Sequence, residues 1–93
     1  SGKAYDVYRD IFLAKVRPHI RESLSARKPK NSTLFGEAIN RAENIVFDFV
    51  ERNYANPYLA WQGSEHHRRL NELGFELESL DGIVEECYRK ISA

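Results

Sequence analysis

The sequence predicts an all-α fold: a compact four-helix bundle that gains a fifth helix if the segment PYLAW forms a helical turn. Apolar residues recur at i, i+3 and i+4 spacing in the first, middle and last parts of the chain. No stretch shows the convincing alternation of apolar and polar residues that is typical of a half-buried strand. Proline and glycine stand between the periodic stretches, where they separate helices. The 93 residues are expected to form one domain, residues 1–93.

The first helix is predicted over AYDVYRDIFLAKVRPHIRESL, residues 4–24. Its apolar stripe advances in four-residue steps and comprises Tyr8, Phe12, Val16, Ile20 and Leu24, with Ile11 beside it. Pro18 lacks a backbone donor, and its ring clashes with the carbonyl of Ala14 in a regular helix. We therefore expect the first helix to be kinked or broken near Pro18.

The second helix is predicted over residues 34–54, after the polar linker SARKPKNST. Ser32 or Thr33 can cap its start by accepting a hydrogen bond from a backbone amide in the first turn. Because it is the most apolar helix, we expect it to form the centre of the core. The residues expected to do so are Phe35, Ala38, Ile39, Ala42, Ile45, Val46, Phe49 and Val50.

Residues 52–70, RNYANPYLAWQGSEHHRRL, are expected to join two helices. Pro57 ends the second helix and suits the first position of a short new turn, PYLAW. Ser64 is a predicted N-cap for a helix that stops at Gly74, where a left-handed backbone is expected. In this interpretation the aromatic side chains of the joint are packed and its two histidines are solvated.

The last helix is expected to follow an N-cap at Ser79 and to cover LDGIVEECYRKIS. Its predicted apolar stripe comprises Leu80, Ile83, Val84, Cys87 and Ile91. Cys87 therefore behaves in this interpretation as a buried, small apolar residue rather than as a reactive nucleophile.

The composition limits the class of protein. A single cysteine permits no internal disulfide, so nothing requires an oxidising compartment. No apolar stretch approaches the roughly 20 residues that span a bilayer, and the first residues do not resemble a signal peptide. We expect an intracellular protein, cytoplasmic or nuclear, without membrane contact. The missing initial Met suggests that the chain belongs to a longer one.

Neither a catalytic site, a cofactor site nor a metal site is predicted. His66 and His67 are adjacent, so on a helix their side chains point about 100° apart and cannot bind one metal together. His19 and Cys87 are distant in sequence from both. The chain contains no glycine-rich phosphate loop, no nucleophile elbow and no zinc-protease motif. We therefore expect a non-enzymatic protein.

Charge is distributed unevenly along a chain whose net charge is zero. Residues 1–30 contain eight basic and three acidic residues, hence a net charge of +5, and residues 31–93 carry −5. This asymmetry can steer a charged partner. It can also be neutralised inside the monomer, or it can hold a homo-oligomer together head to tail. The internal explanation is the favoured one.

The leading functional hypothesis is an adaptor or regulatory domain that binds a partner protein. Tyr54, Tyr58 and Trp61 would share one face if the chain stayed roughly helical through Pro57, and Arg68 and Arg69 follow them. Tyrosine, tryptophan and arginine are enriched at binding hot spots. These five residues are the predicted binding site. An acidic helix surface is the other option for the same function and comprises Glu76, Glu78, Asp81, Glu85 and Glu86.

The alternative hypothesis is nucleic-acid binding through the basic segment between Arg17 and Lys30. Its candidate phosphate contacts are Arg17, Arg21, Arg27, Lys28 and Lys30. Against it, the isoelectric point near 6.8 lacks the strongly basic character of a dedicated nucleic-acid binder. The protein-binding hypothesis is therefore preferred.

Overall fold

The computed structural model describes residues 3–27, 29 and 35–92. Within them the chain forms six helical segments, four of eight or more residues and two short ones. They are α1 (Lys3–Ser25), α2 (Phe35–Arg52), α3 (Pro57–Trp61), α4 (Glu65–Glu72), α5 (Leu77–Leu80) and α6 (Ile83–Ser92). The all-α prediction is confirmed. The count of four or five helices was too low, because the short α5 was not predicted. The proposed caps Ser32 and Thr33 lie outside the described residues.

The first helix was expected to be kinked or broken near Pro18. It is not broken, because α1 has 23 residues and runs continuously through Pro18, and the kink is not confirmed. Pro18 leaves the carbonyl of Ala14 without its helical hydrogen bond. Both residues lie on the exposed side of α1. Water can therefore hydrate the Ala14 carbonyl, and the missing bond does not end the helix.

The helices α1 and α2 are antiparallel. Arg9 of α1 lies 3.7 Å from Glu51 near the end of α2, whereas Arg17 lies 2.9 Å from Glu43 near its middle. Because α2 ends at Arg52, the first turns of α1 extend beyond it. The molecule is consequently elongated, with extents of 45 × 23 × 21 Å.

The core lies where α1, α2 and α6 meet, and α3, α4 and α5 cover its remaining side. Its buried members include Val16, Ile20, Leu24, Ala38, Ile39, Ala42, Ile45, Val46, Phe49, Val50, Leu80, Ile83, Val84 and Cys87, all of which the helical periodicity predicted. The stripe of α1 was wrong at its start, because Tyr8 and Ile11 are exposed. They belong to the part of α1 near and beyond the end of α2, where few helices pack.

The ends of α4 follow the predicted signals. Ser64 Oγ accepts a hydrogen bond of 3.0 Å from the His67 amide, which confirms the N-cap. After the helix, Gly74 has φ of 103°. The amide of Phe75 donates to the Leu70 carbonyl and the amide of Gly74 to the Asn71 carbonyl. These two bonds form a Schellman motif, and they turn the buried Phe75 back onto the core.

The predicted cap of the last helix is wrong. Ser79 lies inside α5, and its hydroxyl donates to the Glu76 carbonyl at 2.8 Å. The chain then turns, and α6 starts at Ile83. The carbonyl of Leu80 accepts a 2.8 Å hydrogen bond from the indole of Trp61 instead of continuing a helical ladder. A tertiary contact therefore lies at the break between α5 and α6.

Candidate functional site

Exposed apolar side chains concentrate at one end of the molecule. Among the described residues, six large apolar side chains are exposed, and five of them lie on the first half of α1 or on α3. We call these five the Tyr58 surface, and they are Val7, Tyr8, Ile11, Tyr58 and Leu59. Tyr8 is 69% exposed and Leu59 is 89% exposed. The sixth residue, Leu77, lies on α5.

Aromatic rings behind this surface connect α1, α3 and α6. The ring of Phe12 lies 5.1 Å from that of Tyr54 and 4.6 Å from that of Tyr88. Tyr88 in turn meets the ring of Tyr58 edge to face at 5.4 Å. Its hydroxyl donates to the backbone carbonyl of Tyr54 at 3.3 Å. These contacts hold Tyr58 in place while about half of its side chain stays exposed.

A surface pocket of about 390 Å³ lies beside Tyr58, between α3 and α6. Its lining residues are Tyr58, Glu85, Tyr88, Arg89 and Ser92. The two tyrosines supply apolar area, and Glu85 and Arg89 supply opposite charges at the edge. This composition suits an apolar anchor of a partner with polar neighbours.

Trp61 does not belong to this surface: it is packed in the core, as the interpretation of residues 52–70 as a helix joint expected. Its side chain is 1% exposed and packs edge to face on Phe49, with ring centroids 4.9 Å apart. The chain does not stay helical through Pro57, since residues 53–56 separate α2 from α3. The indole therefore turns into the core, where its N–H donates to the Leu80 carbonyl.

The histidines of the joint are not both solvated, contrary to the expectation. His67 is buried, and its Nδ1 accepts from the Gly63 amide at 3.2 Å. Its Nε2 faces the Leu77 carbonyl and Asp81, both at 3.2 Å. The Nδ1 contact implies that the proton of the neutral ring sits on Nε2, from which it is donated to these oxygens. His67 thus ties the start of α4 to α5.

His66 points elsewhere, which confirms that the two neighbours face apart. Its Nε2 lies 2.7 Å from Asp48 of α2, and its ring packs against Phe49. The hydrogen bond with His66 is the main reason that the pKa of Asp48 lies below its ordinary value. No group of three or more potential metal ligands occurs among the described residues.

The two arginines predicted to flank the aromatic residues lie on α4. Arg68 pairs with Glu72 one turn later, at 3.6 Å. Arg69 lines a different groove, between α2 and α4. The five residues of the predicted binding site thus separate into three places. Tyr54 and Tyr58 join the aromatic rings, Trp61 is in the core, and the arginines are on α4.

The three arginines of the basic segment pair with carboxylates within the molecule. Arg17 and Arg21 both contact Glu43, at 2.9 and 3.0 Å, and Arg17 also covers the ring of Phe47. Arg27 forms a bidentate ion pair with Glu86, in which its two terminal nitrogens donate to the two carboxylate oxygens at 2.9 and 3.0 Å. Lys28 and Lys30 lie outside the described residues. The internal explanation of the charge asymmetry is therefore supported at these three arginines, of which Arg17 and Arg21 share one carboxylate.

The acidic surface is also partly used inside the fold. Glu86 is held by Arg27, and Asp81 faces His67. Glu78 and Glu85 are exposed. The acidic residues of the last third therefore do not form a free anionic face.

Arg27, Ser23 and Glu86 form a polar cluster between α1 and α6 that the sequence did not suggest. Arg27 also donates to the backbone carbonyls of Ser23 and Ser79. The side chain of Ser23 is fully buried and receives contacts from Cys87 and Lys90. The hydrogen bonds from Arg27, above all, lower the pKa of Glu86 from 4.5 to about 2.

We expect this cluster to make stability depend on pH at the acid side. Because the folded-state pKa of Glu86 is depressed, its carboxylate stabilises the fold above pH 4.5, and this contribution is lost as the pH falls from 4.5 towards about 2. Urea unfolding of the wild type and of Glu86→Gln at several pH values measures this contribution to stability. The variant should have a lower free energy of unfolding than the wild type near neutral pH. This difference in free energy should shrink as the pH falls from 4.5 towards about 2. A difference that is unchanged down to about pH 2 would contradict this assignment.

Cys87 is buried, as predicted. Burial raises the pKa of its thiol to about 11, so the thiol is protonated near neutral pH. It packs in the core, and its Sγ lies 3.8 Å from Ser23 Oγ.

In the part of the chain that the structure describes, no helix is both long and apolar enough to cross a membrane.

The comparisons with known proteins give one informative match. An uncharacterized protein of Treponema pallidum (strain Nichols) is 32% identical to this chain over 84 residues. The match covers 90% of this chain and 16% of that protein, so the chain spans about a sixth of the length of its relative. No family model matches, and no solved structure matches. The chain therefore resembles one stretch of a longer, uncharacterized protein.

Proposed function

We propose that this chain is a non-enzymatic interaction domain that binds a partner protein through the Tyr58 surface. The observation that carries the proposal is the concentration of exposed apolar side chains on the first half of α1 and on α3. Clustered apolar side chains at the surface are characteristic of interaction sites, whereas single scattered ones are ordinary. Aromatic residues are the most frequent anchors of such sites.

The rigidity of the surface supports this proposal. Tyr58 rests on Tyr88, and Tyr88 rests on Phe12, so three helices hold the exposed ring in one place. A partner that binds here pays little conformational entropy for ordering the tyrosine. The adjacent pocket beside Tyr88 can receive an apolar side chain of the partner.

We expect Leu59→Ser and Tyr58→Ser to abolish partner binding without unfolding the protein. Both side chains are exposed, so their loss should change the free energy of unfolding by less than about 1 kcal/mol. Removing a hot-spot residue typically weakens binding by about 2 kcal/mol or more, which is a loss of roughly thirtyfold or more. The measurement is retention of proteins from an extract of the cells that produce the chain, with circular dichroism as the check of folding.

Leu77→Ser is the matched control for this experiment. Leu77 is also an exposed large apolar residue, but it lies on α5 rather than on the Tyr58 surface. The partner should be retained by the wild type and by Leu77→Ser, and it should be lost with either of the other two variants. Equal retention by all four proteins would reject the Tyr58 surface as the binding site.

A further inference from the structure

A second groove lies between α2 and α4, separate from the Tyr58 surface. It has a volume of about 450 Å³. α2 contributes Arg41, Asn44, Ile45 and Asp48 to its lining, and the end of α4 contributes Arg69, Glu72 and Leu73. The lining thus combines two arginines, two acids and two large apolar residues.

The acids of the groove are already paired. Asp48 contacts Arg52 at 2.9 Å and His66 at 2.7 Å. Glu72 lies 3.6 Å from Arg68. Their charges are therefore balanced by cations outside the groove lining.

The arginines of the groove are not paired with any residue that the structure describes. Arg41 and Arg69 are both exposed, and neither forms an ion pair within residues 3–27, 29 and 35–92. By contrast, Arg17, Arg21 and Arg27 all contact carboxylates. The groove consequently carries an excess of positive charge in the form of two guanidinium groups that can bind further acceptors.

An apolar floor distinguishes this groove from a simple anion site. Ile45 belongs to the core but reaches the groove, and Leu73 is half-buried at its edge. An inorganic anion gains nothing from this apolar area. A peptide can use both features, because an apolar side chain covers the floor while neighbouring carboxylates meet the guanidinium groups.

We propose that the α2–α4 groove binds a short acidic peptide segment of another protein. One apolar side chain of the peptide packs on Ile45 and Leu73, and its carboxylates pair with Arg41 and Arg69. Charge complementarity selects this occupant, since the free charges of the groove are both positive and both have the planar fork that suits carboxylates. This site is independent of the Tyr58 surface and gives the domain a second contact region.

The test uses the fluorescence anisotropy of a labelled peptide with the sequence Glu-Glu-Leu-Leu-Glu-Glu. We expect saturable binding to the wild type and roughly tenfold or greater weakening by Arg41→Glu and by Arg69→Glu, because each loses charged hydrogen bonds. A second peptide, in which glutamine replaces every glutamate, should not bind. Arg41→Gln and Arg69→Gln should also weaken binding of the acidic peptide. Circular dichroism confirms that each variant is folded.

Arg89→Glu is the matched control. Arg89 is likewise an exposed arginine without an ion pair among the described residues, but it lines the pocket beside Tyr58. The Arg89→Glu variant should bind the acidic peptide as tightly as the wild type does. The proposal is overturned if the peptide does not bind, if Arg89→Glu weakens binding as much as Arg41→Glu, or if inorganic phosphate at millimolar concentration displaces the peptide. The last result would identify a general anion site.

Discussion

Replacing Trp61 by alanine should lower the free energy of unfolding by about 3–5 kcal/mol, the typical cost of truncating a buried tryptophan. Its ring packs edge to face on Phe49 at 4.9 Å and lies 5.3 Å from the ring of His67. Removing it leaves a large cavity among α2, α3 and α4. It also leaves the buried carbonyl of Leu80 without its 2.8 Å donor.

A domain of this size has a total stability on the order of 5–15 kcal/mol, so Trp61→Ala should be close to unfolding. Urea denaturation followed by circular dichroism measures the loss. Tyr58→Ala is the control, because Tyr58 lies on the same short helix but is half exposed and should cost far less. If both variants are equally stable, the indole is not a core residue.

Arg27→Ala should destabilise the fold by about 2–3 kcal/mol, the second largest effect that we expect. Arg27 makes a two-pronged contact with Glu86 and donates to the carbonyls of Ser23 and Ser79. Its side chain is only 16% exposed, so water replaces these bonds poorly. The substitution leaves the carboxylate of Glu86 without its main partner.

Arg21→Ala provides the comparison, because Arg21 also pairs with a glutamate but is 50% exposed. Exposed ion pairs contribute about 0–1 kcal/mol, so this variant should stay close to the wild type in urea denaturation. Equal losses for Arg27→Ala and Arg21→Ala would show that the α1–α6 cluster adds nothing beyond a surface salt bridge.

Much of the fold could be predicted because helical periodicity reports which side of a helix is buried. The residues of α2 that were expected in the core and whose side chains are described are buried, as are Leu80, Ile83, Val84 and Cys87. Capping and glycine signals also correctly predicted the two ends of α4, because they depend only on residues near those ends. Ser64 caps α4, and Gly74 adopts the left-handed backbone that ends it.

The errors arose where tertiary contacts decide the outcome. Pro18 was expected to kink or break the first helix, but it faces solvent and α1 is not broken there. The separation of α5 from α6 involves a hydrogen bond between Trp61 and Leu80, residues whose relation no local pattern reveals. Tyr8 continues the apolar stripe of α1, yet it is exposed because α2 ends too early to cover it.

The candidate site was predictable only in part, for the same reason. The sequence drew attention to Tyr58 but could not tell that Trp61, three residues later, is buried. The rings that support Tyr58 come from distant parts of the chain, since Tyr88 contacts Tyr58 and Phe12 contacts Tyr88. The sequence places Arg27 in a polar linker. Only the fold shows that Arg27 binds Glu86.

The central claim, that a partner protein binds the Tyr58 surface, is tested most directly by site-specific photo-crosslinking. A photoreactive phenylalanine analogue is placed at Leu59 in one protein and at Leu77 in another, both exposed positions. In the producing cells, position 59 should give one discrete crosslinked protein, and position 77 should not. Indistinguishable crosslinks at both positions, no crosslink at position 59, or a crosslink only to a second copy of this chain would contradict the claim.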